Sequence, residues 1–245
     1  MSRLNLFLKK CFAAAGLEVS RRQARTAAAG RRSLLTDRRI ELLLDVGANI
    51  GQYATQVREE GYAGRIVSFE PLKDAHAELV LKAQLDPGWT IHERCAIGAA
   101  IGEAEINVSR NSVSSSLLPM LAAHTQAAPD SVYVARNLTK VLTLDAVIGQ
   151  YRRAQERVFL KIDTQGFERH VLEGAQASLE FIAGIQLELS IVPLYASQEL
   201  YRWFLDYLEQ RGFVLWSLVP GYVDPTTGQM VQFDGVFIRR EDAAH

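Results

Sequence analysis

The chain has 245 residues, of which 48% are apolar, enough to bury a sizeable core in one domain or two small ones. Its net charge of −1 argues neither for nor against a nucleic-acid partner. The two cysteines, Cys11 and Cys95, have no paired spacing, which speaks against a disulfide framework or a thiolate metal site, and no run of 18 apolar residues predicts a membrane span.

The charge is unevenly spread. Residues 1–39 hold ten Lys or Arg against Glu18 and Asp37, a balance of +8, whereas the rest of the chain carries −9. Within that basic segment Leu4, Phe7, Leu8, Cys11 and Phe12 recur at helical spacing, so residues 3–17 are expected to form an amphipathic helix. Two readings of it stay open: a helical cap on the main domain, or a segment that contacts an anionic membrane surface or a partner. Lys9 and Lys10 interrupt any secretory apolar core, and a cytoplasmic body is expected.

From Ile40 onward the pattern alternates. "IELLLDVG" reads as a strand buried on both faces, "NIGQYATQVREEGY" as a helix, "GRIVSFEP" as a second strand, "KDAHAELVLKAQL" as a second helix and "WTIHERCAIG" as a third strand. Residues 100–148 break the rhythm. "GEAEINVS" and "NLTKVLTLDAVI" read as strands around a serine- and proline-containing loop, an insertion on the α/β body. The alternation resumes with "RVFLKIDTQGFE" as a strand, "RHVLEGAQASLEFI" as a helix, "GIQLELS" as a strand and "SQELYRWFLDYLEQRG" as a helix. "FVLWSLV" and "MVQFDGVFIRR" then close the chain as an antiparallel pair. The expected fold is a doubly wound, mostly parallel seven-stranded α/β sheet with an antiparallel last strand. Residues 1–39 form a separate basic segment and residues 40–245 the domain.

The chemistry gathers at strand ends. "DVGANIG" joins the first strand to the first helix, and Gly47 and Gly51 allow a tight turn with close approach of a ligand. A dinucleotide site would carry G-x-G-x-x-G; here the middle glycine is absent and Asp45 stands at the entrance. A carboxylate repels a phosphate and attracts an ammonium, which points to S-adenosyl-L-methionine, a cofactor with an ammonium and a sulfonium and no phosphate. Glu70 ends the second strand, where an acid can accept both ribose hydroxyls. Asp163 ends the fourth strand of the alternation, in the crevice where open α/β sheets bind ligands, as candidate general base or holder of the cofactor amine. Lys161, two residues earlier, needs a partner if buried, and Glu188 on the next strand is the expected one, either as a structural ion pair or as a catalytic charge network that holds the acceptor or tunes Asp163. His124 in the insertion and His170 on the following helix are further candidate bases. Hard oxygen ligands on Asp163 and Glu188 would suit magnesium, but no dedicated metal-ligand spacing is present and no metal is expected. A dehydrogenase is disfavoured by the missing glycine fingerprint and the lack of a Tyr-x-x-x-Lys pair. A cofactor-binding module without catalysis is the alternative reading. The acidic body, with no Asn/Asp-Pro-Pro-Tyr motif, argues against a nucleic-acid substrate.

"LLLDVGANIGQY", "RIVSFEP", "CAIG", "SSSLLP", "VLTLDAVI", "FLKIDTQGFERHVLEGA" and "LELSIVPLY", in this order, resemble the FkbM family of class I methyltransferases over roughly residues 40–240. The resemblance implies methylation of a hydroxyl on a sugar, glycan or secondary metabolite, with S-adenosyl-L-methionine as cofactor. It implies that Asp45, Gly47, Ala48, Asn49 and Gly51 cradle the methionine end with Gln52 and Tyr53 nearby, and that Glu70, followed by Pro71 and Leu72, holds the ribose. Cys95 and Ala96 would border the adenine, and Ser114, Ser115 and Ser116 would lie at the mouth of the site. The family often shows an acid where this chain has Gln165, which sets any carboxylate role at that position in doubt.

Overall fold

The computed structural model describes residues 31, 34–224 and 227–243; the amphipathic stretch over residues 3–17 lies outside them. The apolar run Leu42–Val46 forms β1, buried along its whole length. It lies parallel to β2 (Arg65–Phe69) on one side and β7 (Val158–Ile162) on the other. A strand covered on both faces has no use for alternation, hence the unbroken Leu-Leu-Leu. Beyond β2 lies β3 (Trp89–Ile91). Beyond β7 come β8 (Ile182–Ser190), then β10 (Gln232–Arg239), then β9 (Phe213–Pro220) at the far edge. β10 is antiparallel to both of its neighbours, so the seven-stranded sheet is mostly parallel with an antiparallel last strand, as expected.

Helices cover both faces. Leu42, Leu44 and Val46 point into one core with Leu160, Ile162, Phe204 and Leu208, the last two from α5 (Tyr201–Glu209). Leu43, Ile66 and Phe159 point into the opposite core. There they meet Ala54 and Val57 of α1 (Gln52–Glu59) and Leu79 of α2 (Lys73–Ala83). Leu34 and Leu35, from the C-terminal end of the basic segment, join that same core.

Two sequence expectations are corrected. "WTIHERCAIG" is two strands: β3 stops at Ile91, the chain bends, and Ala96–Ile97 (β4) pairs with a separate three-stranded sheet in the order β4-β6-β5. That sheet is built from the insertion, β5 being Gly102–Ser109 and β6 Tyr133–Leu142, with the short helix α3 (Ala122–Ala127) in the loop between them. The helix expected over "RHVLEGAQASLEFI" is only α4 (Glu168–Glu173), followed by a 3₁₀ turn at Ser178–Phe181. Gly174 explains the break: a Cβ there would lie 2.0 Å from the Gly98 carbonyl oxygen, so the helix end is wedged against the β4 loop.

The registers set a polar row across the sheet. Asp45 lies opposite Ser68 on β2 and opposite Lys161 on β7, and Lys161 lies opposite Gln186 on β8. All four are buried; Asp45, Ser68 and Lys161 lie at the C-terminal ends of their strands and Gln186 in the middle of the longer β8.

Candidate active site

A cavity of about 520 Å³ opens over those strand ends, a size suited to a small-molecule ligand. Asp45, Gly47, Ala48, Asn49, Gln52, Tyr53, Glu70, Pro71, Leu72, Cys95, Ala96, Ser116, Lys161, Asp163, Glu188 and His124 all line it. Ser114 and Ser115 do so as well. Gly51 does not: its φ is +85°, and a Cβ there would strike Trp89 at 2.5 Å, so this glycine serves the turn and its packing. His170 is stacked face to face on Phe167 with ring centroids 4.0 Å apart and is not among the cavity residues, which removes it as a base.

The turn after β1 spends its own hydrogen bonds. The Gly47 and Ala48 amides both donate to the Phe69 carbonyl at 3.1 Å, and the Gly51 amide donates to the Ala48 carbonyl at 2.8 Å. The Asn49 amide donates to Glu70 Oε2 at 2.7 Å, and the Ile50 amide to Asn49 Oδ1 at 2.9 Å. Five successive N–H groups are therefore satisfied within the protein, leaving no nest for a phosphate. Gly47 has φ +81°, and a Cβ on it would fall 1.8 Å from the Asp163 carbonyl oxygen. Only glycine lets the β1 turn and the end of β7 approach this closely.

Acceptor groups ring the cavity instead. Asp45 is buried with one long hydrogen bond, from Ser68 Oγ at 3.3 Å; burial pushes its carboxyl up to about 6 against the opposing pull of Lys161. Glu70 accepts the Asn49 and Leu72 amides, one on each oxygen at 2.7 Å, which leaves a lone pair on each oxygen for a further donor. Burial raises it to about 7 despite those two bonds. Lys161 is 4% exposed, and burial alone would lower its pKa; Asp163, Asp234, Glu188 and Asp45 together hold it above the usual range and keep it charged. Its ammonium donates to Asp163 Oδ2 at 3.1 Å.

The expected ion pair of Lys161 with Glu188 is thus replaced. In the register of β7 and β8 Lys161 faces Gln186, which puts Glu188 two residues farther along, whereas Asp163 follows Lys161 on its own face of the strand. Glu188 is held by two side-chain amides, Gln165 Nε2 at 2.7 Å and Gln232 Nε2 at 2.8 Å, both on Oε2. Burial, reinforced by Asp163, raises its pKa.

The K-I-D-x-x-G-x-E segment now has a physical reading. Asp163 presents its carboxylate to the cavity, and Gly166 (φ +95°) lets the loop pass against Tyr195. Glu168 ties the loop down by accepting the Thr164 amide at 2.9 Å and the Gly166 amide at 3.2 Å. On the insertion side, His124 is 6% exposed and packs edge-on against Tyr195 with ring centroids 5.0 Å apart. Burial lowers its pKa, so the imidazole is neutral near pH 7 and able to take a proton.

A family model described as the Methyltransferase FkbM domain matches residues 45–215, spanning the acid-entered turn, the insertion and the Asp163 loop. The chain belongs to the FkbM methyltransferase family. No curated protein matches it. Among solved structures, an FkbM methyltransferase from Methylobacillus flagellatus KT is 16% identical with a TM-score of 0.47, over 80% of this chain and 43% of that one. A putative RNA methyltransferase from Pyrococcus horikoshii is 14% identical with a TM-score of 0.44, over 95% of this chain and 98% of that one. A putative rRNA methylase from Clostridium thermocellum is 9% identical with a TM-score of 0.46, over 89% and 99%. The family match carries the assignment as a methyltransferase; the structural likenesses add no argument about substrate.

Several residues of the FkbM cavity escaped the sequence reading. Gln186, Gln232 and Asp234 line it from β8 and β10, with Gln186 Nε2 donating to Asp234 Oδ2 at 2.9 Å and the Tyr53 hydroxyl donating to Gln186 Oε1 at 2.9 Å. The signal was present: each is a polar residue inside an otherwise apolar strand, and such a residue needs a partner. Arg31 also lines the cavity, fixed by two bonds to the Glu60 carboxylate at 2.9 and 2.5 Å. Nothing local in the sequence marks it. Among the described residues no group of His, Cys, Asp and Glu is arranged to hold a metal ion, and no helix is long and apolar enough to cross a membrane.

Proposed function

We propose that this FkbM methyltransferase uses S-adenosyl-L-methionine to methylate a hydroxyl on a sugar, glycan or secondary metabolite. One observation carries the cofactor reading: a turn with every N–H already bonded, beside three carboxylates, Asp45, Glu70 and Asp163, at the ends of adjacent strands. Such a site wants donors and cations. An ammonium suits Asp45 and Asp163, a pair of ribose hydroxyls suits the two open lone pairs of Glu70, and a flat ring suits the small Ala96 and Cys95. Cys95 is a thiol that burial pushes up to about 12 and keeps neutral. The bound cofactor supplies a methyl group already activated by a sulfonium.

The remaining work falls to the chain. The hydroxyl must be aligned and, where it is weakly acidic, relieved of its proton. His124, a neutral imidazole on the insertion side, and Asp163, a carboxylate on the sheet side, are the groups proposed for that proton. Side-chain amides of Gln52, Gln56, Asn111 and Gln232 line the cavity around them. Each offers both donors and acceptors, the pairing a polyhydroxylated acceptor needs. The proposed setting is cytoplasmic, with the basic N-terminal segment available for contact with a membrane surface.

The test is transfer of a labelled methyl group from S-adenosyl-L-methionine to metabolites and glycans of the source cell, followed by mass spectrometry. A product heavier by one methyl, attached through an ether oxygen, supports the reading. Label recovered only on nitrogen or on nucleic acid contradicts it.

A further inference from the structure

We infer that the Gln165 carboxamide takes the place of a bridging cation between Asp163 and Glu188, and so acts as the positioning residue that sets these two carboxylates without a metal. Gln165 follows β7 with φ +56°, a left-handed backbone that is uncommon for a residue with a Cβ. Its side chain accounts for the position. Nε2 donates to Asp163 Oδ1 at 2.8 Å and to Glu188 Oε2 at 2.7 Å, and Oε1 accepts from the Tyr195 hydroxyl at 2.9 Å. Its carbonyl accepts from Ser116 Oγ at 2.7 Å, tying the loop to the insertion.

The orientation of the amide follows from its neighbours. Turned over, it would aim its oxygen at two carboxylates and forfeit both donated bonds. As placed, two N–H groups meet two acids, which is the task a divalent ion performs between hard oxygen ligands. Of the other two oxygens only Asp163 Oδ2 is bonded, and Gln232 adds a second bond to the Glu188 oxygen that Gln165 already holds. Lys161 Nζ lies 3.1 Å from Asp163 Oδ2, and Gln232 Nε2 lies 2.8 Å from Glu188 Oε2. Glu188 Oε1 has no hydrogen-bond partner among the described residues. An acid in place of Gln165 would keep the Tyr195 bond and bring a third carboxylate to the point where the amide now donates. With only Lys161 and Gln232 left as donors, three carboxylates at one point repel one another and favour a cation that joins them.

The inference concerns the same cavity as the proposed methyl transfer but needs neither its cofactor nor its acceptor. The experiment is a set of thermal melts and calorimetric Mn²⁺ titrations on the full chain, in EDTA and in Mn²⁺. The wild-type protein should melt at one temperature in both and bind no Mn²⁺ in the cavity. Gln165→Glu should melt lower in EDTA and rise by roughly 3–6 °C at Mn²⁺ ten times its dissociation constant. Adding Asp163→Asn to that variant should abolish the rise. Gln165→Gly, suited to the positive φ and lacking the amide, should keep the fold and also gain Mn²⁺ stabilisation; it decides the matter if Gln165→Glu does not fold. Mn²⁺ binding to the wild type that Asp163→Asn removes would overturn the inference, as would indifference of both Gln165 variants to Mn²⁺. Failure of S-adenosylhomocysteine to bind, with the Mn²⁺ results as stated, would sink the methyl-transfer reading and leave the role of Gln165 standing.

Discussion

Lys161 shows how much a single residue can disclose and where it stops. A lysine inside a buried parallel strand must have a counter-charge, because taking an ammonium out of water costs several kcal/mol. That need was legible in "FLKID". Its partner was not, because sequence spacing does not say whether a side chain reaches across the sheet or forward along its own strand. The structure chooses the forward direction, to Asp163. The expected consequence is specific. Lys161→Met should destabilise the fold by about 3 kcal/mol by leaving Asp163, Asp45 and Asp234 without their cation. Adding Asp163→Asn should restore part of that loss, whereas adding Glu188→Gln should restore less. Urea denaturation of the two double variants compares them, and equal rescue by both would contradict the pairing.

At the scale of elements, the strands were readable because burial on both faces leaves a run of apolar residues, as in Leu42–Leu44 of β1 and Val158–Leu160 of β7. The bend inside "WTIHERCAIG" was not, because the residues that leave the main sheet are as apolar as those that stay. The polar row of Ser68, Asp45, Lys161 and Gln186 was half legible. The two charged members stood out, and the register that joins them to Ser68 and Gln186 appears only when strands are paired. The turn between β1 and α1 rests on the same pairing, since Gly47 meets the Asp163 backbone from the neighbouring strand. Gly47→Ala should therefore cost more than about 3 kcal/mol, through a clash with backbone and an unfavourable φ together. Gly102→Ala, at a glycine with nothing within 4 Å of its added Cβ, should change stability by less than about 1 kcal/mol. Chemical denaturation of the two variants side by side checks the contrast.

Across the whole molecule, burial raises carboxyl groups in the cavity, Asp45 and Glu70, and in the loop beside it, Glu168. Asp45 is raised to about 6, Glu70 to about 7 and Glu168 to about 7, each chiefly by burial. An acid whose native pKa lies above its unfolded value binds its proton more tightly in the native state. Its contribution is complete below about pH 4 and is lost as the pH rises through 6 to 7. The ligand-free protein should accordingly lose melting temperature between pH 5 and pH 8. A bound ammonium favours ionised Asp45, so S-adenosylhomocysteine should stabilise more at pH 8 than at pH 5.5. Scanning calorimetry across that range measures both slopes, and a melting temperature that climbs steadily to pH 8 would contradict the assignment of raised carboxylates.

The identity of the cofactor is tested most directly by calorimetric titration of the full chain at pH 8, with S-adenosylhomocysteine in one cell and NAD in the other. A turn with no free N–H, entered by Asp45 and backed by Glu70, should bind one S-adenosylhomocysteine per chain. At a hundred times its dissociation constant the ligand should add about 2.7 kcal/mol of stability. NAD, whose pyrophosphate finds acids where it needs donors, should give no heat of binding. Saturable binding of NAD with no response to S-adenosylhomocysteine would contradict the reading of this cavity.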